Sequence, residues 1–235
     1  MIGLPTSSLP TRSLLVPSLG AWGLPSLAAF LTLGPVFLQA PLVRVFPMGA
    51  ALATVPLLLL ALALALHPHP TRQRLGMVLV GFAGSWLGGA LFWGWAREYP
   101  FWHLPIEAFA LPLALGGLQT RWRLGASFYL ASLLGTAATD GLIAATGLMP
   151  LWPQVVQASP LDAGALLQSA AQSLLHPLPL LAMGLAAGWI LLLARQLWGG
   201  DAASRVAAAA LASTLVVDGL FFGAALLAPH LSGLI

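Results

Sequence analysis

Two aspartates interrupt stretches otherwise built of small and apolar residues: Asp140 in LGTAATDGLIAA and Asp218 in STLVVDGLFFGAALL. A carboxylate surrounded by hydrocarbon is costly unless it is paired, protonated or open to water. Neither has an arginine within helical reach along its own sequence. Two roles fit such a group. One is a proton or cation site, or a general acid or base. The other is structural, a carboxyl bonded to a neighbouring helix, with Thr136, Thr139 and Thr214 as nearby hydroxyl candidates.

The densest run of polar chemistry is Arg97-Glu98-Tyr99-Pro100-Phe101-Trp102-His103-Leu104-Pro105-Ile106-Glu107. Pro105 and Glu107 suit the first turn of a helix, where a negative side chain meets the positive end of the dipole. In the alternative reading, Glu98, His103 and Glu107 are joined by His176 and His230 from other connections around a metal, a pigment or a polar headgroup. One imidazole and two carboxylates can hold a divalent metal, but this spacing matches no specific ligand motif, and the cofactor stays open. His67 and His69 in the HPHP turn read as an ordinary solvated turn.

The elements that must carry these groups follow from composition. Of 235 residues, 59% are apolar and 6% charged, too few charges to cover a water-soluble globule. Seven stretches are long and apolar enough to cross about 30 Å of hydrocarbon. They run near 18–38, 46–66, 75–96, 102–118, 124–146, 178–197 and 203–227. The fourth is interrupted by Pro105 and Pro112, so a short or kinked helix is expected there. The expected fold is all-α: a polytopic bundle of about seven spans forming one integral membrane domain over residues 1–235.

All nine cationic side chains are arginines, and their positions alternate. Arg12, Arg72, Arg74, Arg121, Arg123, Arg195 and Arg205 fall in every other connection, against Arg44 and Arg97 in the rest. Seven against two is a positive-inside signal. It predicts a cytoplasmic amino terminus and a periplasmic or lumenal carboxyl terminus, with the His103 segment on the outer side. Arginines spread over span ends point to headgroups and snorkelling, so a lipid bilayer is the expected partner and nucleic acid is not. Trp86, Trp93, Trp95, Trp102 and Trp152 read as an outer aromatic belt. The absence of cysteine excludes disulfides and thiolate metal sites.

Two further devices are readable. Gly84 with Gly88, and Gly184 with Gly188, are small-xxx-small pairs expected to pack helices inside the bundle, with a homodimer contact as the alternative. Ser159, Pro160 and Asp162 form a helix start. After it, Ala163, Leu166, Leu167, Ala170 and Leu174 line one face, and Ser169, Gln172, Ser173 and His176 the other. This predicts an outer amphipathic helix lying along the membrane surface or, in a sharper reading, a lid over an outward-facing cavity.

The strings FWGWAREYPFWHLPIEAFALPLALGGL, LGTAATDGLIAATGLMPLWPQVVQASP and LLHPL resemble an uncharacterised family of multi-pass membrane proteins from cyanobacteria. The resemblance covers about residues 75–180. It implies an oxygenic phototroph and a thylakoid or plasma membrane, and it brings no activity. The pentad LPIEA is also similar to the glutamate motif of membrane-embedded carotenoid cyclases, which place a second acid where Ala108 stands here.

Three functions remain. The leading one is a permease for a small solute or proton built on Asp140 and Asp218. The others are a non-catalytic accessory or assembly subunit of a membrane complex, and a membrane enzyme acting on a lipid or isoprenoid with Glu98, His103 and Glu107 as acid–base groups. Convergence of the two aspartates on one cavity would favour transport.

Overall fold

A computed structural model describes residues 23–229, and among them all regular structure is helical. Arg12, residues 18–22 of the expected first span and His230 lie outside the described residues. Helix α1 spans Gly23–Val45. A short α2 (Pro47–Leu52) and α3 (Thr54–Ala65) then run almost continuously, and the HPHP turn leads into α4 (Pro70–Leu91). That turn is largely exposed, as a solvated turn should be, and it bonds to itself: the His69 amide donates to His67 Nδ1 at 3.0 Å, and the His69 ring accepts from the Thr71 amide at 3.3 Å as the N-cap of α4.

Helix α4 does not end at Leu91 but widens into a π turn over Phe92–Ala96. After the broken stretch that follows come α7 (Arg123–Ala145), α10 (Pro177–Trp198) and α11 (Ala202–Leu227). Among the described residues six helical segments are thus long and apolar enough to cross a membrane, which fits an integral membrane protein. A helix satisfies its own backbone polar groups, the condition that hydrocarbon imposes on any spanning segment.

The fourth expected span, 102–118, is the exception. It is present as pieces: a 3-10 turn at Pro100–Trp102, α5 (His103–Glu107), a second 3-10 turn at Ala108–Ala110, and α6 (Leu111–Gly117). Pro105 and Pro112 lack the amide hydrogen that an α-helix interior needs, which explains why the segment breaks. Its path is still a traverse. His103 at its start meets Asp140 near the end of α7, and Gly117 at its finish faces Ala126 near the start of α7.

The connection after α7 holds α8 (Trp152–Gln157) and α9 (Pro160–Ser173). The predicted helix start is in place: the Ser159 hydroxyl accepts from the Asp162 amide at 3.3 Å and donates to the Asp162 carboxylate at 2.7 Å. Gln168 ties α9 to the far end of α11 by donating to the Leu226 carbonyl at 3.3 Å.

Glycines set how closely the helices approach. Gly81 of α4 lies against the backbone of Gly125 of α7, and Gly125 against the Met77 carbonyl, so a methyl group at either would collide with backbone. Around this contact lie Val78, Phe128, Val206 and Leu211, all fully or nearly fully buried, with Ala28 of α1. Gly84 faces the Tyr129 ring, and Gly88 sits where a Cβ would come within 3.0 Å of Glu107 Cα. The first small-residue pair therefore packs inside the bundle, as its spacing predicts. The second does not: a Cβ on Gly184 or Gly188 would meet nothing within 4 Å. Helix α10 leans mainly on α11 and leaves that face outward.

At one end of the bundle Arg123 at the start of α7 pairs with Asp201, the N-cap of α11. Arg72, Arg74, Arg121, Arg195 and Arg205 lie at or beside helix ends on this same side: α4 and α7 run parallel, as Gly81 against Gly125 and Gly84 against Tyr129 require, because the broken segment between them runs back the other way. Arg44 and Arg97 lie at the opposite end, where Gly94 approaches Val43 and Pro47.

Two outcomes are expected. Gly81→Ala and Gly125→Ala should each lower stability by about 1–3 kcal/mol, since backbone cannot yield to the methyl group. Gly184→Ala should be neutral or stabilising by up to about 1 kcal/mol through helix propensity. Thermal unfolding in one detergent would read all three. Asp201 is held below the ordinary aspartate range by hydrogen bonds from the Ser204 amide and hydroxyl, with the Arg123 charge adding to them. A depressed carboxylate contributes stability above its unfolded value, about 3.9, and loses it as pH falls through the folded one. As the loss of a half-exposed N-cap whose ion pair with Arg123 is screened by solvent, Asp201→Ala should cost about 0.5–2 kcal/mol at neutral pH. Its deficit relative to wild type should close as unfolding is measured at progressively lower pH, into the acid range.

Candidate functional site

The irregular fourth segment places its polar groups against one stripe of α7. Ser132, Thr136, Thr139, Asp140 and Ile143 recur at helical spacing and face the same interior space. Where the segment leaves α-helical geometry after Glu107, the Tyr129 hydroxyl takes over its backbone bonding. It donates to the Glu107 carbonyl and accepts from the Ala110 amide at 3.2 Å. Non-helical backbone at membrane depth needs such partners. The close seating of Glu107 is in turn permitted by Gly88.

His103 is the centre of the site. Its Nδ1 lies 3.1 and 3.0 Å from the two carboxylate oxygens of Asp140, and its Nε2 lies 3.3 Å from Glu107 Oε1. The other Glu107 oxygen accepts from the Thr136 hydroxyl at 3.0 Å. The three ionisable side chains are 11–18% exposed, so the ring joins two carboxylates largely out of solvent. Phe92 stacks on the imidazole with centroids 4.2 Å apart, and Trp93 and Trp152 flank it. The π turn is what brings Phe92 and Trp93 to this position, a use to which π bulges are often put. The Trp152 indole is fixed by donating to the Arg97 carbonyl at 2.8 Å.

Asp218 belongs to the same space from the other side. Its carboxylate accepts from the Thr139 hydroxyl at 2.8 Å, one residue before Asp140. Both aspartates, His103 and Glu107 line one cavity of about 720 Å³ between α1, α4, α7, α10 and α11. Its walls are mostly apolar, and Leu151, Trp152 and Val155 together with Leu167 and Ala171 of α9 and Leu174 just after it close one end. Leu167, Ala170 and Leu174 of the predicted apolar face therefore line this cavity. Pro35, inside the continuous helix α1, also lines the space.

Several expectations are revised by these positions. Glu107 does not cap a helix start: it ends α5 and binds His103 and Thr136. The outer cluster divides. Glu98 is at the surface accepting from Gln157 at 3.2 Å, Arg97 contributes its carbonyl, and His176 stands exposed as the N-cap of α10. What joins His103 and Glu107 is Asp140, from 37 residues away in sequence. Thr139 is a carboxylate partner as expected, Thr136 serves Glu107 instead of an aspartate, and Thr214 bonds the Leu211 carbonyl. Of the tryptophans, Trp95 and Trp102 are exposed as a belt requires, while Trp86, Trp93 and Trp152 turn inward, Trp86 donating to the Ala50 carbonyl at 2.8 Å. Among the described residues no three His, Cys, Asp or Glu side chains are grouped to hold a metal ion.

Chemically, an imidazole with a carboxylate on each ring nitrogen can receive a proton at one side and release one at the other. Breaking it leaves carboxylates without their donor. His103→Gln should destabilise by about 3–5 kcal/mol, the usual cost of removing one partner of a buried pair. Adding Asp140→Asn to His103→Gln should cost less than the sum of the two single changes, a coupling that a double-mutant cycle on thermal unfolding would measure.

No curated protein and no solved structure matches this chain. A family model does, over residues 28–226, a stretch that contains His103, Glu107, Asp140 and Asp218. The chain belongs to the family described as "Protein of unknown function (DUF3120)".

Proposed function

We propose that this protein is a permease that moves a small, largely apolar solute across its membrane in exchange or in company with a proton. The observation that carries this reading is the convergence of Asp140 and Asp218, with His103 and Glu107, on one cavity walled by spanning helices. Ionisable groups at membrane depth are costly to keep and recur in proton relays and solute pathways. The cavity lies within the 300–1,000 Å³ range typical of small-molecule sites, and apolar walls with a few convergent polar groups are their usual make-up. A broken helix beside the site, as in the His103 segment, is a recurrent feature of transporters.

In this reading the arginine-rich end of the bundle faces the cytoplasm, and α8 and α9 close the cavity from the opposite side. The resemblance to cyanobacterial membrane proteins is what supports a thylakoid or plasma membrane as the proposed setting. A second reading, an accessory subunit of a membrane complex or a homodimer, is favoured by one observation, the open glycine face at Gly184 and Gly188 on α10.

Proteoliposomes carrying an internal pH dye test the transport reading. Under an acid-outside gradient they would be challenged in turn with apolar amines, alcohols and carboxylic acids, beside protein-free liposomes. At least one class should raise proton flux well above the protein-free control, and Asp140→Asn and Asp218→Asn should each remove the increment. Flux indistinguishable from the control for every class, or variants as active as wild type, would end the permease reading.

A further inference from the structure

The cavity that the transport reading treats as a solute site has an unequal charge balance. Among the described residues its ionisable lining groups are Glu107, Asp140, Asp218 and His103, and none of them is an arginine. His103 can carry one positive charge, and it is already divided between two carboxylates. Asp218 receives a hydroxyl from Thr139 and lines the cavity with its remaining acceptor capacity. Among the described residues, three acids therefore share a space with one side chain able to carry a positive charge.

The surroundings of Asp218 add a second feature. Phe221 and Phe222 follow it at the i+3 and i+4 positions of α11 and line the same cavity. Aromatic rings beside a carboxylate are the combination that receives an ammonium group, through charge-assisted hydrogen bonding and attraction to the ring faces. Farther along the cavity, Leu31, Val36, Met183 and Ile190 offer a surface for a hydrocarbon body and no polar group to a charged one. An anion in this space would face carboxylates at low dielectric, where repulsion is poorly screened.

We infer that the cavity takes a cation with a large apolar body, an amine or other organic ammonium, and that the Asp218 carboxylate receives its charged end. The inference rests on the cavity being a solute site and names the class of solute. Inside the membrane a carboxylate is neutralised by a proton or by a bound cation, so the cation and a proton compete for Asp218. Uptake of one then releases the other, and this gives the transport reading its coupling.

Tetraphenylphosphonium and tetraphenylborate have nearly the same shape and opposite charge, and they separate the alternatives. Their binding to the purified protein in nanodiscs would be followed by quenching of tryptophan fluorescence, since Trp86, Trp93 and Trp152 line the cavity. The phosphonium should bind saturably, about tenfold more weakly in Asp218→Asn, a loss of about 1.4 kcal/mol. Asp218→Glu should restore much of that loss, and the borate should show no saturable binding. Borate binding as tight as that of the phosphonium, measured on wild type alone, overturns the inference whether or not the variants fold. So does an Asp218→Asn protein that melts like wild type and binds the phosphonium equally well. Selective phosphonium binding without any proton flux in the liposome assay would support the cation site while removing the permease reading, so the two fail separately.

Discussion

The imidazole of His103 held between two carboxylates is the contact on which the rest of this structure turns. Each acid alone would be costly at membrane depth, and an imidazole alone would seek a donor or acceptor there. Bringing them together requires that a short helix enter beside α7 at the level of Asp140, and that requirement explains the local architecture. The segment breaks at its prolines, the Tyr129 hydroxyl replaces backbone bonds that a regular helix would have made, and Gly88 leaves room for the Glu107 backbone. Removing the three-way contact would leave these features without a common purpose.

The same arrangement links fold to chemistry. Helix α7 presents hydroxyls and a carboxylate toward one space, so Thr136 serves Glu107, Thr139 serves Asp218 and Asp140 serves His103 in succession along the helix. Polar groups from three different helical segments thus meet at one wall of an otherwise apolar space. At that wall the hydrocarbon walls and the end cover of α8 and α9 keep the surrounding dielectric low, which strengthens every charge interaction made there.

Much of the fold could be read from the chain before any coordinates. Long apolar runs, arginine alternation and the proline positions in 102–118 correspond to six long helices and one broken traverse. The Ser159 start of α9 was legible because capping is local chemistry. The site was legible only in its parts. Asp140 and Asp218 stand out by composition, and the His103–Glu107 spacing of four already places both on one helix face. That His103 reaches Asp140 and not His176 depends on how two segments 37 residues apart lie against each other, and no local pattern encodes it. The outward direction of Gly184 and Gly188 is likewise a property of where α10 packs, since their spacing is the same as that of Gly84 and Gly88.

The widened turn at Phe92–Ala96 has a consequence for how the gene can change. A π turn holds one residue more than the α-helical path it replaces, and each residue rotates a helix by about 100°. Deleting a single codon there would let the helix close to regular geometry and swing the aromatic rings that rest on His103 toward lipid. Point substitutions in this stretch act on one side chain, whereas a one-residue indel would disturb the aromatic enclosure around His103 as a whole.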